Sequence, residues 1–242
     1  MKRLIGLFLI IALFIGGYFL FKKETVIFYS PHADDEVLSM GGSIIKAVEE
    51  DKNVIVILLS KGLASSAYHK VNTKLQEEGY DNISPEEFGE ARIKEFKKSV
   101  ETMGVKPENI LIYDLPDAEF TPDMVKEIMI DMEKGYPGAT HHVMTYHDPH
   151  PDHASTGKAL MALHKEGTIK KAGYYHIPIQ EFGNLSYTGK DEISKEHAEK
   201  YQNALDAYGE WSPEEGKFQI GQISVTDYFE NAIKYLESRW HQ

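Results

Sequence analysis

Apolar and polar positions along this chain fall into two recurring patterns. Short runs rich in β-branched and aromatic residues predict strands at Val26–Ser30, Val54–Ser60, Ile110–Tyr113, His142–Tyr146 and Gly173–Ile177. Longer stretches with helical spacing of apolar residues predict helices near Val37–Glu49, Pro85–Met103, Pro122–Glu133, Ser155–His164, Lys195–Ala207 and Asp227–Trp240. Because strands and helices alternate, we expect an α/β fold: a Rossmann-like, mostly parallel sheet with helices on both faces.

Two local signals refine this prediction. Ser84 followed by Pro85 is typical of a helix start, with Ser as the N-cap and Pro in the first helical position. Residues 61–84 are polar and only weakly periodic, so we expect a long loop there that lines or covers a site.

The longest apolar run lies at the N-terminus. Leu4 to Phe21 carries no charged residue and is flanked by Lys2–Arg3 and Lys22–Lys23. As a helix this run would be about 27 Å long, close to the bilayer's hydrocarbon thickness of about 30 Å. We therefore predict a single-pass membrane anchor over residues 1–23 and one domain over residues 24–242. The starting amine adds positive charge to the N-terminal side, which favours an extracytoplasmic domain.

Two other interpretations of this run are weaker. A cleaved signal peptide is disfavoured because its apolar region usually spans only about 7–15 residues, and because no A-x-A-like cleavage site follows the run. A buried core helix is disfavoured because the run has no polar face to present to solvent. A retained anchor is the favoured hypothesis.

Composition limits the classes of partner and chemistry. Hydrophobic residues at 42% and charged residues at 26% are typical of a globular protein. The 26 Lys and Arg against 38 Asp and Glu give a net charge of -12, which argues against binding nucleic acid or adsorbing to an anionic membrane by charge alone. There are no cysteines, so any metal must be bound by His, Asp and Glu. Nothing in the composition indicates an oligomeric state.

Two short motifs carry most of the candidate chemistry. Pro31-His-Ala-Asp-Asp-Glu36 follows the first predicted strand, and His150-Pro-Asp-His153 follows the fourth. In open parallel sheets, ligands bind beyond the carboxyl ends of the strands. We therefore expect folding to bring both motifs together into one divided site.

The residue types in these motifs suit a metal. His32 and Asp35 stand three apart at a strand-to-helix turn, and one histidine of the second motif, His150 or His153, would complete a His-Asp-His set for zinc. Asp34 would lie beside the metal and take a proton from an activated water. The alternative is that the acidic cluster only complements a helix dipole and that the histidines are surface residues.

The second histidine of the pair would have a different task. It would polarise the substrate carbonyl as an imidazolium held by Asp152. Arg92 and His147 are candidate substrate-binding residues, and an ion pair with a nearby carboxylate is an equally good explanation for Arg92.

With these motifs the chain resembles the PIG-L/LmbE-like family of zinc-dependent N-acetylglucosamine deacetylases, whose usual signatures are A-H-P-D-D-E and H-P-D-H. The likeness extends over roughly residues 25–215 and includes Arg92 and Glu95, Leu115-Pro116-Asp117 and Ser155–Gly157. The resemblance implies zinc ligands His32, Asp35 and His153, with Asp34 as general base and His150 as electrophile or acid, oriented by Asp152. Ala33 replaces the family's usual Pro, so the turn is less rigid, but no ligand is lost. Ser60-Lys61-Gly62 replaces Thr-Asp/Asn-Gly in a region that contacts substrate in the family, which affects the expected sugar preference.

The favoured function is a zinc-dependent hydrolase that removes the N-acetyl group from an N-acetylglucosamine-containing glycolipid, cell-wall polymer or oligosaccharide, using metal-activated water. One alternative is a metal-dependent deacylase or esterase acting on another acyl group. Another is a membrane-tethered, metal-binding carbohydrate module without catalysis. Zinc is the expected metal, although His and carboxylate ligands also hold iron or cobalt.

Overall fold

A computed structural model of the chain describes residues 23–242, and the predicted anchor lies outside this part except for Lys23. Its strands are β1 (Thr25–Ser30), β2 (Asn53–Leu58), β3 (Ile110–Ile112), β4 (Thr140–Met144), β5 (Tyr174–His176), β6 (Gly189–Glu192), β7 (Trp211–Ser212), β8 (Lys217–Phe218) and β9 (Glu237–His241). Its α-helices are α1 (Asp35–Leu38), α2 (Gly41–Glu49), α3 (Ala67–Glu77), α4 (Pro85–Thr102), α5 (Pro122–Gly135), α6 (Pro151–Glu166), α7 (Ala198–Asp206) and α8 (Ile220–Tyr235). Across residues 23–242, no helix is both long and apolar enough to cross a membrane.

Within this described range, seven strands form one sheet in the order β3-β2-β1-β4-β5-β9-β6. The first five strands of that order pair in parallel, and β9 runs antiparallel between β5 and β6. The prediction of a mostly parallel sheet is therefore confirmed, and each of its parallel strands overlaps a predicted one. Strands β7 and β8 form a separate hairpin.

The sheet is covered by helices on both faces, because successive residues of its central strand point to opposite sides. Val26 and Phe28 join one apolar cluster, which includes residues of α2, α4, α7 and α8. Ile27 and Tyr29 join a second cluster, which includes residues of α5 and α6. A strand buried on both faces needs a continuous apolar run, as β1 has.

The predicted start of α4 is confirmed in detail. The Ser84 side chain accepts a hydrogen bond from the backbone N–H of Glu87, and the Glu87 carboxylate accepts one from the backbone N–H of Ser84. This capping box satisfies two N–H groups that a helix end leaves without partners.

Two predicted elements were wrong. The loop expected over residues 61–84 contains α3, whose buried Ala67, Val71 and Leu75 form a narrow apolar stripe at helical spacing. The helix expected over Asp227–Trp240 ends at Tyr235, because Leu236 adopts a left-handed conformation with φ of 51°. The residues after it pair with β6 as strand β9, a long-range contact that local periodicity does not encode.

Gly157 marks the closest approach of α6 to the end of β4. A Cβ there would lie 2.5 Å from the backbone nitrogen of Tyr146 and 2.6 Å from the carbonyl oxygen of Met144. Backbone atoms cannot yield as a flexible side chain can, so α6 can pack here only with glycine. This contact sets the position of α6 relative to the end of β4, and the first turn of α6 carries the second motif.

We expect Gly157→Ala to lower the free energy of unfolding by about 1–3 kcal/mol through overpacking. Gly135→Ala is the matched control, since Gly135 is also helical and a Cβ there has no atom within 4 Å. That control should be neutral or stabilising by up to about 1 kcal/mol. Urea unfolding measures both, and equal stability of the two variants would contradict the close approach.

Candidate metal centre

The two motifs meet at the carboxyl edge of the sheet. His32 follows the end of β1, and His150 is the N-cap residue of α6, shortly after β4. Strands β1 and β4 are parallel neighbours, with Val26 opposite Thr140, so the segments after both strands begin at the same edge.

Three ligand atoms form a small triangle at this edge. His32 Nδ1 lies 3.3 Å from His153 Nε2 and 3.4 Å from Asp35 Oδ2, and the last two atoms are 3.1 Å apart. A tetrahedron with metal–ligand distances of about 2.0–2.1 Å has edges of about 3.3 Å. The triangle therefore has the size of one face of a zinc coordination sphere, and the three residues fit such an ion.

Carboxylates on the far side of His32 orient its ring. His32 Nε2 lies 3.1 Å from Asp117 Oδ1 and 3.1 Å from Asp152 Oδ2. A proton on Nε2 shared with these carboxylates leaves the Nδ1 lone pair free to face the triangle. A second possible set of metal ligands consists of His32, His150 and Asp152, whose ligand atoms lie within 4.8 Å of one another. In that set, however, the Asp152 carboxylate already accepts a hydrogen bond from the backbone N–H of Ala118 at 2.8 Å.

Asp148 performs the same task for the second histidine. Its Oδ2 lies 2.8 Å from His153 Nδ1, and its Oδ1 accepts from the backbone N–H of His150 at 2.8 Å. Holding the proton on Nδ1 turns the Nε2 lone pair of His153 toward the triangle. This function of Asp148 was not predicted from the sequence, although a carboxylate just upstream of a candidate ligand was an available signal.

The buried charges shift the pKa values of two candidate ligands, His153 and Asp35, in opposite directions. Burial would lower the pKa of His153, but the carboxylates of Asp35 and Asp148 raise it to about 9. Burial would raise the pKa of Asp35, but the two histidines hold it well below its ordinary value. A metal binding here must displace the imidazole protons, because a metal binds the deprotonated nitrogen.

Asp34 lies beside the triangle in a constrained conformation. Its φ is 113°, in the region that favours glycine. Burial and repulsion by Asp35 raise the pKa of Asp34 to about 7, against the attraction of Arg92. A carboxyl with a pKa near neutrality is matched to general base catalysis.

Two side chains hold this turn in place. The Glu36 carboxylate accepts from the Asp34 backbone N–H at 3.0 Å and from the Tyr208 hydroxyl at 2.7 Å. Arg92 donates to the carbonyl oxygens of Ala33 and Gly62, and its Nη2 is 3.9 Å from Asp34 Oδ2. Arg92 therefore holds the backbone of this turn, places a positive charge beside Asp34 and lines the cavity.

The structure departs from one expected pairing. The Asp152 carboxylate contacts His32 and Ala118 rather than His150, whose Nδ1 instead accepts from the Asp152 backbone N–H at 3.3 Å. Burial and the charges of His153 and His32 lower the pKa of His150. Both effects favour the neutral form of the His150 ring over the imidazolium expected from the sequence.

A cavity of about 270 Å³ opens above these residues. Its lining includes His32, Asp34, Arg92, His150 and His153, together with Gln180, Ser224 and Tyr228 from the C-terminal third of the chain. The last three escaped the sequence analysis because nothing local marks them. His147 lies outside this lining, its ring centroid 4.3 Å from that of Tyr146 and 6.0 Å from that of His241.

Comparison with known families agrees with the site. The profile of the family described as PIG-L, GlcNAc-PI de-N-acetylase, matches residues 27–164, more than half of the chain and the part that contains both motifs. The chain belongs to the PIG-L family. The expected resemblance to these deacetylases is confirmed.

Individual relatives extend this comparison. The diacetylchitobiose deacetylase of Thermococcus kodakarensis is 28% identical over 140 residues, which cover 55% of this chain and 46% of that protein, so the chain matches about half of its length. A solved deacetylase involved in the teicoplanin biosynthetic pathway is 16% identical, with a TM-score of 0.66 over 90% of this chain and 96% of that one. The 4-carboxy-2-hydroxymuconate hydratase GalB of Pseudomonas putida is 17% identical, with a TM-score of 0.61 over 90% and 95%. These solved structures share the fold, and a fold alone does not fix a reaction.

We expect Asp148→Asn to weaken metal binding about 10–100-fold, because the ring of His153 loses the carboxylate that fixes its tautomer. Competition for Zn²⁺ or Co²⁺ against a chromophoric chelator measures the affinity. His147→Ala, one residue away and outside the triangle, should leave it unchanged. Equal affinities for Asp148→Asn and the unmodified chain would rule out the orienting contact.

Proposed function

We propose that this PIG-L family protein is a zinc-dependent N-deacetylase that removes the acetyl group from an N-acetylglucosamine-containing substrate. The observation that carries the proposal is the triangle of His32 Nδ1, His153 Nε2 and Asp35 Oδ2, with Asp34 next to it. Two nitrogens and one oxygen at this spacing are a donor set that a catalytic zinc site uses.

A zinc ion held by these three residues would supply Lewis acidity, polarising the amide carbonyl and acidifying a water for attack. Iron or cobalt would accept the same nitrogen and oxygen donors. The thiolates that soft metals favour are absent from the chain, which has no cysteine.

Asp34 moves the proton. It accepts a proton from the attacking water as the new C–O bond forms, and it returns that proton to the amide nitrogen as the C–N bond breaks. The products are acetate and a free amine. Burial and the neighbouring Asp35 raise the pKa of Asp34 above that of a free carboxyl, which strengthens it as the base of the first step.

His150 stabilises the oxygen on which negative charge develops. It lines the cavity beside His153 and is more exposed than the other histidines of the site, so a substrate can reach it. A neutral imidazole can donate a hydrogen bond through Nε2–H while its Nδ1 accepts from the Asp152 N–H. Asp152 and Asp117 act through His32, whose ring they orient.

The size and polarity of the cavity support a sugar. At about 270 Å³ the cavity is slightly smaller than most ligand pockets, which usually span about 300–1,000 Å³. Arg92, Asp117, Gln180 and Ser224 offer donors and acceptors around it, as hydroxyl groups require. The diacetylchitobiose deacetylase among the relatives acts on an acetylated amino sugar, which agrees with this substrate class.

Asp34→Asn should reduce acetate release from chitooligosaccharides by a factor of about 10²–10⁴, the usual contribution of a general base, while metal stoichiometry is retained. Acetate release by the full chain, with and without a chelator, measures activity, and metal analysis provides the second readout. Activity that survives Asp34→Asn would refute the role of the base. Activity that survives the chelator would refute metal dependence.

A further inference from the structure

One wall of the cavity above the metal centre is built from the C-terminal third of the chain. Gln180 lies in a short 3-10 turn shortly after β5, and Ser224, Val225 and Tyr228 lie on α8. Because β5 pairs in parallel with β4, Gln180 follows its strand at the same edge as the second motif. We call these four residues the C-terminal wall.

Hydrogen bonds to the backbone hold the C-terminal wall in place. The N–H of Ile179, next to Gln180, donates to the Ser39 hydroxyl at 3.3 Å. The Glu95 carboxylate accepts from the N–H of Ile220 at 2.7 Å, at the start of α8. A wall that is already ordered lowers the entropic cost of binding a ligand against it.

The hydroxyl groups of this wall are available to a ligand. Other polar side chains of α8 are satisfied within the protein: the Gln222 side chain accepts from that of Gln219 at 3.0 Å, and the Thr226 hydroxyl donates to the Gln222 carbonyl oxygen at 2.6 Å. In the part of the chain that the structure describes, the hydroxyls of Ser224 and Tyr228 have no such partner, and both residues line the cavity. A hydroxyl both donates and accepts, as the hydroxyl groups of a sugar require.

Tyr228 offers a donor and an apolar surface together. Burial and the negative charges of Glu181, Asp148 and Asp34 raise the pKa of Tyr228, so its hydroxyl stays protonated near neutral pH and can donate. Its ring, beside Val225, presents an apolar body below this polar tip. The same carboxylates are close enough to act on any ligand that binds this hydroxyl.

The positive side chains around the cavity are already paired. Among the Lys and Arg residues of the described range 23–242, only Arg92 lines the cavity. Its side chain is 5% exposed, contacts Asp34 and donates to two backbone carbonyl oxygens. Lys61, in the segment that Arg92 contacts, pairs with Asp114 at 3.1 Å. Neither cation can bind a phosphate or carboxylate without losing an existing partner.

A bound divalent ion does not reverse the charge of the site. The carboxylates that contact a site histidine or lie beside the triangle are Asp34, Asp35, Asp117, Asp148 and Asp152. They outnumber the positive charges that Arg92 and one divalent ion would supply. Glu181 and Asp227 flank the C-terminal wall in sequence and add to the negative potential there.

We propose that this cavity selects an uncharged N-acetylated sugar: Gln180, Ser224 and Tyr228 hydrogen-bond its hydroxyl groups, and the surrounding carboxylates disfavour a sugar that carries a phosphate or carboxylate near its acetamide. This inference rests on the proposed deacetylase function and narrows its substrate. A phosphorylated amino sugar is then a poor substrate, although its amide bond is chemically equivalent. Like charges placed next to each other are a means of rejecting wrong ligands.

Matched sugars test this discrimination in the zinc-loaded full chain. The probes are the 1-phosphate and the 6-phosphate of N-acetylglucosamine, and the uncharged control for each is the methyl derivative at the same oxygen. Acetate release should give kcat/KM values for the phosphates that are about 10–100-fold below those of the methyl derivatives. Equal values for phosphate and methyl derivative at both positions would overturn the proposal.

Charge-removing variants separate charge from shape. Glu181→Gln combined with Asp227→Asn removes two negative charges beside the C-terminal wall, and Glu230→Gln, at an exposed position of α8 outside the cavity lining, is the control. The double variant should raise the ratio of kcat/KM for phosphate over methyl derivative by about 3–10-fold, and the control should leave this ratio unchanged. An unchanged ratio in the double variant would contradict electrostatic exclusion.

A single hydroxyl tests the contact with the sugar. Tyr228→Phe should raise KM for diacetylchitobiose about 3–10-fold at an unchanged kcat, because one neutral hydrogen bond to the bound sugar is lost. Tyr235→Phe, on the same helix but outside the cavity lining, should change neither constant. An unchanged KM in Tyr228→Phe, or a loss confined to kcat, would refute a role of Tyr228 in binding.

Binding separates this inference from the proposed function. If none of the sugars releases acetate, calorimetry with the same zinc-loaded chain measures their affinities directly. Preferential binding of the methyl derivatives without hydrolysis would refute the proposed function alone. Acetate release at equal rates from phosphates and methyl derivatives would refute this inference alone, and equal affinities without hydrolysis would refute both.

Discussion

The parallel pairing of β1 with β4 is the constraint on which the site depends. The two motifs lie far apart in sequence, and this pairing alone makes their strands neighbours that end at one edge. The close approach of Gly157 to the backbone at the end of β4 then sets the position of α6 relative to that strand. Pairing and packing together bring His153 within 3.3 Å of His32 without any local sequence signal for the distance.

Charge accounts for the chemistry of that edge. The carboxylates of Asp35, Asp117, Asp148 and Asp152 all contact a site histidine, and Asp34 lies beside them. So many acidic groups in a largely buried site repel one another unless cations compensate them. Arg92 supplies one fixed positive charge. A divalent cation in the triangle would supply two more, and this electrostatic demand is independent of the ligand geometry.

Much of this arrangement could be predicted, for identifiable reasons. β1 reads as a strand because burial on both faces requires a continuous apolar run, and Ser84 and Pro85 mark a helix start through hydrogen bonds within one turn. The motifs indicate a metal because so few residue types bind one. Prediction failed where the contacts are long-range: β9 exists only because it pairs with β6, and Asp148 acquires its function only when α6 places His153 against it.

The family match and the remaining sequence contribute different parts of the site. The matched residues 27–164 contain the ligand triangle, Asp34 and Arg92, to which the proposed reaction is assigned. Gln180, Ser224 and Tyr228 line the cavity from outside that range. Helix α4 joins the two parts, because the Glu95 carboxylate on it accepts from the N–H groups of Ile220 and Gly221 at the start of α8. The start of α8 is thereby fixed to the helix that bears Arg92, so the part of the cavity wall that Ser224 provides keeps its distance from Arg92.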